Sequence, residues 1–119
     1  MPANVGVWLE EETQLVLQRV EGAMTFEDFE QLDLLTAECV ERLRDRDHVR
    51  ILADGRKMLP ASLKVRRAAL DTLRPNVKRM ALYGGQRFTQ VVNLFFAIVA
   101  GNRIRSFATE EQARAWLLS

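Results

Sequence analysis

Two side chains of the types that most often act as nucleophile or general base occur once each in the sequence, Cys39 and His48. A nucleophile needs a base within hydrogen-bond reach, and general acid/base work needs a positioned histidine or paired carboxylates. His48 follows Arg46 and Asp47 in a charged stretch, which reads as an exposed turn. Cys39 falls on the apolar stripe of a helical segment, where cysteines are inert packing residues. One histidine and one cysteine also give no transition-metal spacing. The run Gly84-Gly85-Gln86-Arg87 lacks both the Lys-Ser/Thr ending of a phosphate loop and the G-x-G-x-x-G spacing of a dinucleotide site. The expectation is a domain that is not an enzyme, with no catalytic residues, no metal and no cofactor.

Binding chemistry has more support. Gly84 and Gly85 stand just before a predicted helix start, whose free amides favour anions, and Arg87 is adjacent. Asp54, Gly55, Arg56, Lys57 and Lys64 belong to the preceding strand-to-helix connection, so these residues together form a candidate anion or partner site. The competing explanation is that the glycines only make a tight turn.

These residues need elements to hold them. Val5, Val7 and Leu9 alternate with Gly6 and Trp8 as in a strand, Leu15 to Val20 gives a second strand, and Glu10 to Gln14 suits a hairpin connection. Thr25 with Asp28 forms a variant capping box opening a long helix, in which Phe29, Leu32, Leu35, Cys39 and Leu43 recur at helical spacing. Acids in its first turn and Arg42, Arg44 and Arg46 at its end complement the helix dipole. Val49 to Ala53 reads as a buried strand ending at the turn signal Asp54-Gly55. Ser62 can cap a second helix running to about Leu73, and Met80 to Tyr83 is a central strand ending at the glycine pair. An apolar helix from Phe88 to Ala100, a last strand from Ile104 to Phe107, and a terminal helix opened by Thr109 and Gln112 complete the order ββαβαβαβα. The predicted fold is α/β, a mixed and largely parallel five-stranded sheet with covering helices, as a single domain over residues 1–119. Ligands of such sheets gather beyond the carboxyl ends of the parallel strands, here Asp54 and Gly84.

The apolar helix carries more hydrophobic surface than one sheet contact requires. Phe88, Val91, Val92, Phe95, Phe96 and Val99 spread around most of its circumference, whereas a helix on a sheet needs only about a 100° stripe. At about half the roughly 20 residues of a membrane span, it is too short to cross a bilayer. Burial under other helices, a homodimer interface and the wall of a lipid-sized pocket are the three readings, with the interface preferred.

The 119 residues carry a net charge of +1 that is unevenly spread. Residues 1–41 hold one base against ten acids, residues 42–87 thirteen bases against four acids, and the remainder three against two. The split allows an acidic and a basic face or interleaved solvated helices. The arginines are not interleaved with stacking aromatics, so nucleic-acid binding is not expected. A lone cysteine and a start, Met1-Pro2-Ala3-Asn4, without signal-peptide character make the cytoplasm the expected location.

The opening strand pair, the long helix from Thr25, the strand Val49 to Asp54, the run Lys78 to Gly84 and the close Phe107 to Leu117 together resemble the SpoIIAA-like branch of the STAS-type domains, grouped with Sec14-like domains. The resemblance spans nearly the whole chain. It implies a role in protein recognition or small-ligand sensing rather than catalysis. With the apolar helix, the expectation is a bacterial, non-enzymatic domain for protein recognition or regulation as a homodimer through the Phe88 to Val99 helix; the alternative is binding or sensing of a small apolar or lipid-like ligand. In the anti-sigma-factor antagonists of this grouping, a serine near the start of the helix after the third strand is phosphorylated. Here Asp54 is followed by Gly55 and no serine or threonine occurs before Ser62, which makes Ser62 the candidate phosphosite and an N-cap at the same time.

Overall fold

The computed structural model describes residues 4–71, 74–84 and 103–119. Its strands are β1 (Asn4–Glu10), β2 (Leu15–Gly22), β3 (Val49–Met58), β4 (Val77–Tyr83) and β5 (Ile104–Phe107), and its helices α1 (Phe26–Glu41), α2 (Leu63–Asp71) and α3 (Glu110–Leu117). The predicted helix from Phe88 to Ala100 lies outside the described residues. The strands lie in sequence order across one sheet, β1 antiparallel to β2 and all later neighbours parallel.

Period-two alternation divides the core into two layers. Leu15, Leu52, Ala81 and Tyr83 face α3 and pack on Ala113 and Leu117, whereas Val16, Val49, Ile51 and Val77 face α1 and pack on Cys39 and Leu43. Strands buried on both faces read as continuous apolar runs, which is why Leu15-Val16-Leu17 and Ile51-Leu52-Ala53 show no polar alternation. The buried Gln18 is satisfied by donating to Thr36 Oγ1 at 3.0 Å, and that hydroxyl donates to the Leu32 carbonyl at 2.7 Å.

Helix α1 begins in a full capping box. Thr25 Oγ1 accepts from the Asp28 amide at 3.2 Å, and Asp28 Oδ2 accepts from the Thr25 amide at 2.9 Å. It stops at Glu41, earlier than the expected run to Arg46. Arg44 instead donates its amide to Gln14 Oε1 at 3.0 Å and its guanidinium to the Glu11 carbonyl, tying the segment after α1 to the β1–β2 turn. Strand β3 runs on to Met58 rather than ending at Asp54-Gly55, because β2 stays paired with it as far as Gly22, past an irregularity between Arg19 and Glu21. Gly55 is a strand residue of close approach, since a Cβ there would meet Leu82 Cδ1 and the Tyr83 carbonyl at 3.3 Å.

Thr109 caps α3 by accepting from the Gln112 amide at 3.2 Å. At the other end, Arg50 donates to the Leu117 carbonyl at 3.3 Å and Arg79 to the Trp116 carbonyl, so cations meet the negative end of the dipole. Trp116 lies between the guanidiniums of Arg79 and Arg105, 5.0 and 5.6 Å from the ring centroid, with Phe107 tilted against it. No described helix is long and apolar enough to cross a membrane.

Leu117 is the largest α3 side chain fully withdrawn from water. Leu117→Ala is expected to lower unfolding stability by about 2–4 kcal/mol in urea denaturation, with little change in slope.

Candidate functional site

The described residues expected to form one anion site are divided between the two sides of the sheet. Asp54 and Arg56 lie on the α3 side, where Arg56 Nη2 donates to Asp54 Oδ2 at 2.8 Å and the Arg56 guanidinium lies 5.7 Å from the Tyr83 ring centroid. Lys64 belongs to α2 on the other side, with its ammonium 5.9 Å from the centroid of Phe26. Lys57 is exposed and opposite Glu21 in the strand register. Gly84 takes a positive φ of 72° and abuts Arg56, where a Cβ would come within 2.5 Å of Cγ. Gly85, Arg87, Phe88, Val91, Val92, Phe95, Phe96 and Val99 lie outside the described residues. Ser62 is exposed and has N-cap geometry, its Oγ accepting from the Val65 amide at 3.3 Å and its carbonyl from the Arg66 amide at 3.1 Å. His48 is exposed and bonded through Nδ1 to Asp45 at 2.9 Å, and Cys39 is buried.

On the α3 side the polar groups form a closed chain. Arg114 donates to both oxygens of Glu10 at 2.7 and 2.9 Å and to Glu110 at 2.7 Å, while Tyr83 Oη donates to Glu110 at 3.0 Å. Hydrogen bonds from Arg114 and then Thr13 draw the Glu10 carboxyl down to about 2, and Arg114 lowers Glu110 as well. Burial, reinforced by the hydroxyl's bond to Glu110, pushes Tyr83 up to about 12. The Arg56 hydrogen bond lowers Asp54. A tyrosine held protonated and carboxylates held ionised by arginine form a structural seam. The i, i+4 spacing of Glu110 and Arg114 is visible in the sequence, but the partner Glu10 is 104 residues from Arg114 and has no local signal.

On the opposite side, between α1, α2 and the sheet, lies a cavity of about 220 Å³. Val20, Ile51, Met80 and Leu82 from the strands, Phe29 from α1 and Val65 from α2 give it a predominantly apolar wall. Among the described residues its polar groups are Gln18 and Thr36, which bond each other, Asn76, and the charged Asp33, Arg66 and Arg74. Asp33 pairs with Arg74 at 3.6 Å. The Nε of Arg66 is buried without a hydrogen-bond partner. Sequence reasoning sought the site at the strand ends and missed this one, although Val65 and Ala69, four residues apart, marked the α2 face that lines it.

The SpoIIAA-like family model matches residues 15–118, and the chain belongs to that family. No curated protein matches it. Among solved structures, it is similar to an uncharacterized protein of the DUF3478 family with a SpoIIAA-like fold from Shewanella loihica PV-4. The TM-score is 0.72 at 18% identity, with 98% of this chain and 94% of that one covered. At that identity the likeness establishes the fold, in agreement with the α/β architecture expected from the sequence.

The seam has a pH signature. Glu10 is depressed from 4.5 to about 2, so its contribution is fully present above pH 4.5 and is lost as the pH falls through 2. Glu10→Gln is expected to cost about 1–2 kcal/mol at pH 7 and to flatten the decline of melting temperature between pH 4.5 and 2, measured by thermal unfolding across that range.

Proposed function

We propose that this SpoIIAA-like chain is a non-enzymatic binding domain that takes up a small apolar ligand in the cavity between α1, α2 and the sheet. The observation that supports this is the cavity itself, about 220 Å³ with a wall of mostly aliphatic side chains. An apolar void of roughly 150 Å³ in a protein interior stays dry and accepts benzene, so a larger one of the same character has a hydrophobic driving force for a guest. The pairing of Asp54, Glu10, Glu110 and Tyr83 with neighbouring groups supports the non-enzymatic part of the reading.

Recognition of a second protein chain, including self-association as a homodimer, is a second reading with its own support. Phe26 at the start of α1, Leu59 in the β3–α2 connection and Leu63 at the start of α2 leave 41, 46 and 68% of their surface in water. Light scattering at micromolar concentration tests it: a dimer that Leu63→Glu dissociates supports this surface, and a monomer removes the homodimer.

For the ligand reading, decan-1-ol is expected to raise the melting temperature saturably with a stoichiometry of one. Ala37→Phe from α1 and Ala69→Phe from α2 each intrude on the cavity and are expected to weaken binding by about tenfold or more, with circular dichroism unchanged. No response of the unsubstituted chain to the alcohol contradicts the proposal.

A further inference from the structure

We infer that the cavity's guest is a single-chain amphiphile with one carboxylate head, its tail in the apolar chamber and its head on Arg66; this inference rests on the ligand reading above. Among the described residues, three charged side chains line the chamber, Asp33, Arg66 and Arg74. Asp33 and Arg74 are 3.6 Å apart and compensate each other. Among the described lining residues, Arg66 is left as the uncompensated charge, a net of one positive unit.

Its Nε is buried and makes no hydrogen bond. A buried donor without an acceptor is destabilising, and more so when the group is charged. Its neighbours in the α2 part of the lining, Val65 and Ala69, are apolar. A guest that brings an acceptor to Arg66 removes that cost. A carboxylate matches the planar fork of a guanidinium with two parallel hydrogen bonds, and one negative charge balances the one uncompensated positive charge. A neutral alcohol can occupy the same chamber but offers only a neutral acceptor. A cationic head is repelled.

The test compares decanoate, decan-1-ol and decyltrimethylammonium by titration calorimetry on the full chain at pH 7.5, with Arg66→Met and Arg66→Lys as variants. The unsubstituted chain is expected to bind decanoate about tenfold more tightly than the alcohol and the cation most weakly. Arg66→Met is expected to abolish the preference for decanoate while keeping alcohol binding, which also reports that its chamber is intact. Arg66→Lys, which keeps the charge but not the fork, is expected to retain part of the preference. Equal affinity of the unsubstituted chain for decanoate and decanol, or a preference that survives in Arg66→Met, overturns the assignment of the head and leaves the apolar chamber standing. Failure of all three probes to bind overturns the chamber reading and this inference together.

Discussion

The burial of the interior strands on both faces is the constraint on which the rest of the molecule depends. Leu15 and Val16, adjacent in β2, are both fully removed from water, and Ile51, Leu52 and Ala53 repeat the pattern in β3. Each face therefore has to be covered by its own layer. The two layers are built differently. On one face α3 lies against β3, β4 and β5 with Ala113 and Leu117 fully inserted; on the other, α1 packs on β1 and β2 while α2 packs chiefly against α1. The cavity occupies the second layer, with lining from α1, α2 and the strands. The two faces thus differ in covering: one is a closed seam and the other holds a chamber.

Electrostatics follows the same division. The α3 face closes its charges upon one another, Glu10 with Arg114, Arg114 with Glu110 and Glu110 with the Tyr83 hydroxyl, so its perturbed acidities are consequences of tight pairing. Perturbed groups often mark active sites, but structural ion pairs perturb them equally, and here Glu10, Tyr83 and Glu110 are each held by a neighbouring group. The chamber face has few charges, and one of them, Arg66, has a buried nitrogen with no acceptor. Incomplete satisfaction is the better indicator of a ligand than a displaced acidity.

Much of the fold was legible from residue patterns because those patterns are local. The capping box at Thr25 and Asp28, the apolar runs of β2 to β4 and the Thr109 cap each arise from residues within a few positions of one another. The errors came where a distant partner decides. Asp54-Gly55 has the composition of a turn, but β2 continues alongside and β4 crowds Gly55, so the pair remains in the strand. The basic run after Arg42 has the composition of a helix end, but Arg44 is recruited by the hairpin at Glu11 and Gln14. The described residues of the expected anion site are divided for the same reason: Arg56 and Lys64 are near in sequence, yet strand alternation sends one towards α3 while the other rides on α2. A chamber assembled from two helices and four strands has no sequence signature beyond the small residues at four-residue spacing on α2.

The central claim, that the α1/α2 face and not the α3 face receives an apolar guest, is tested most directly by methyl-resolved NMR of the full chain titrated with decan-1-ol. The account predicts saturable shifts confined to methyl groups of the chamber, among them Val20, Ala53, Val65 and Leu82, with Ala113 and Leu117 unmoved. Shifts centred on Ala113 and Leu117, or spread evenly over both layers, would contradict it.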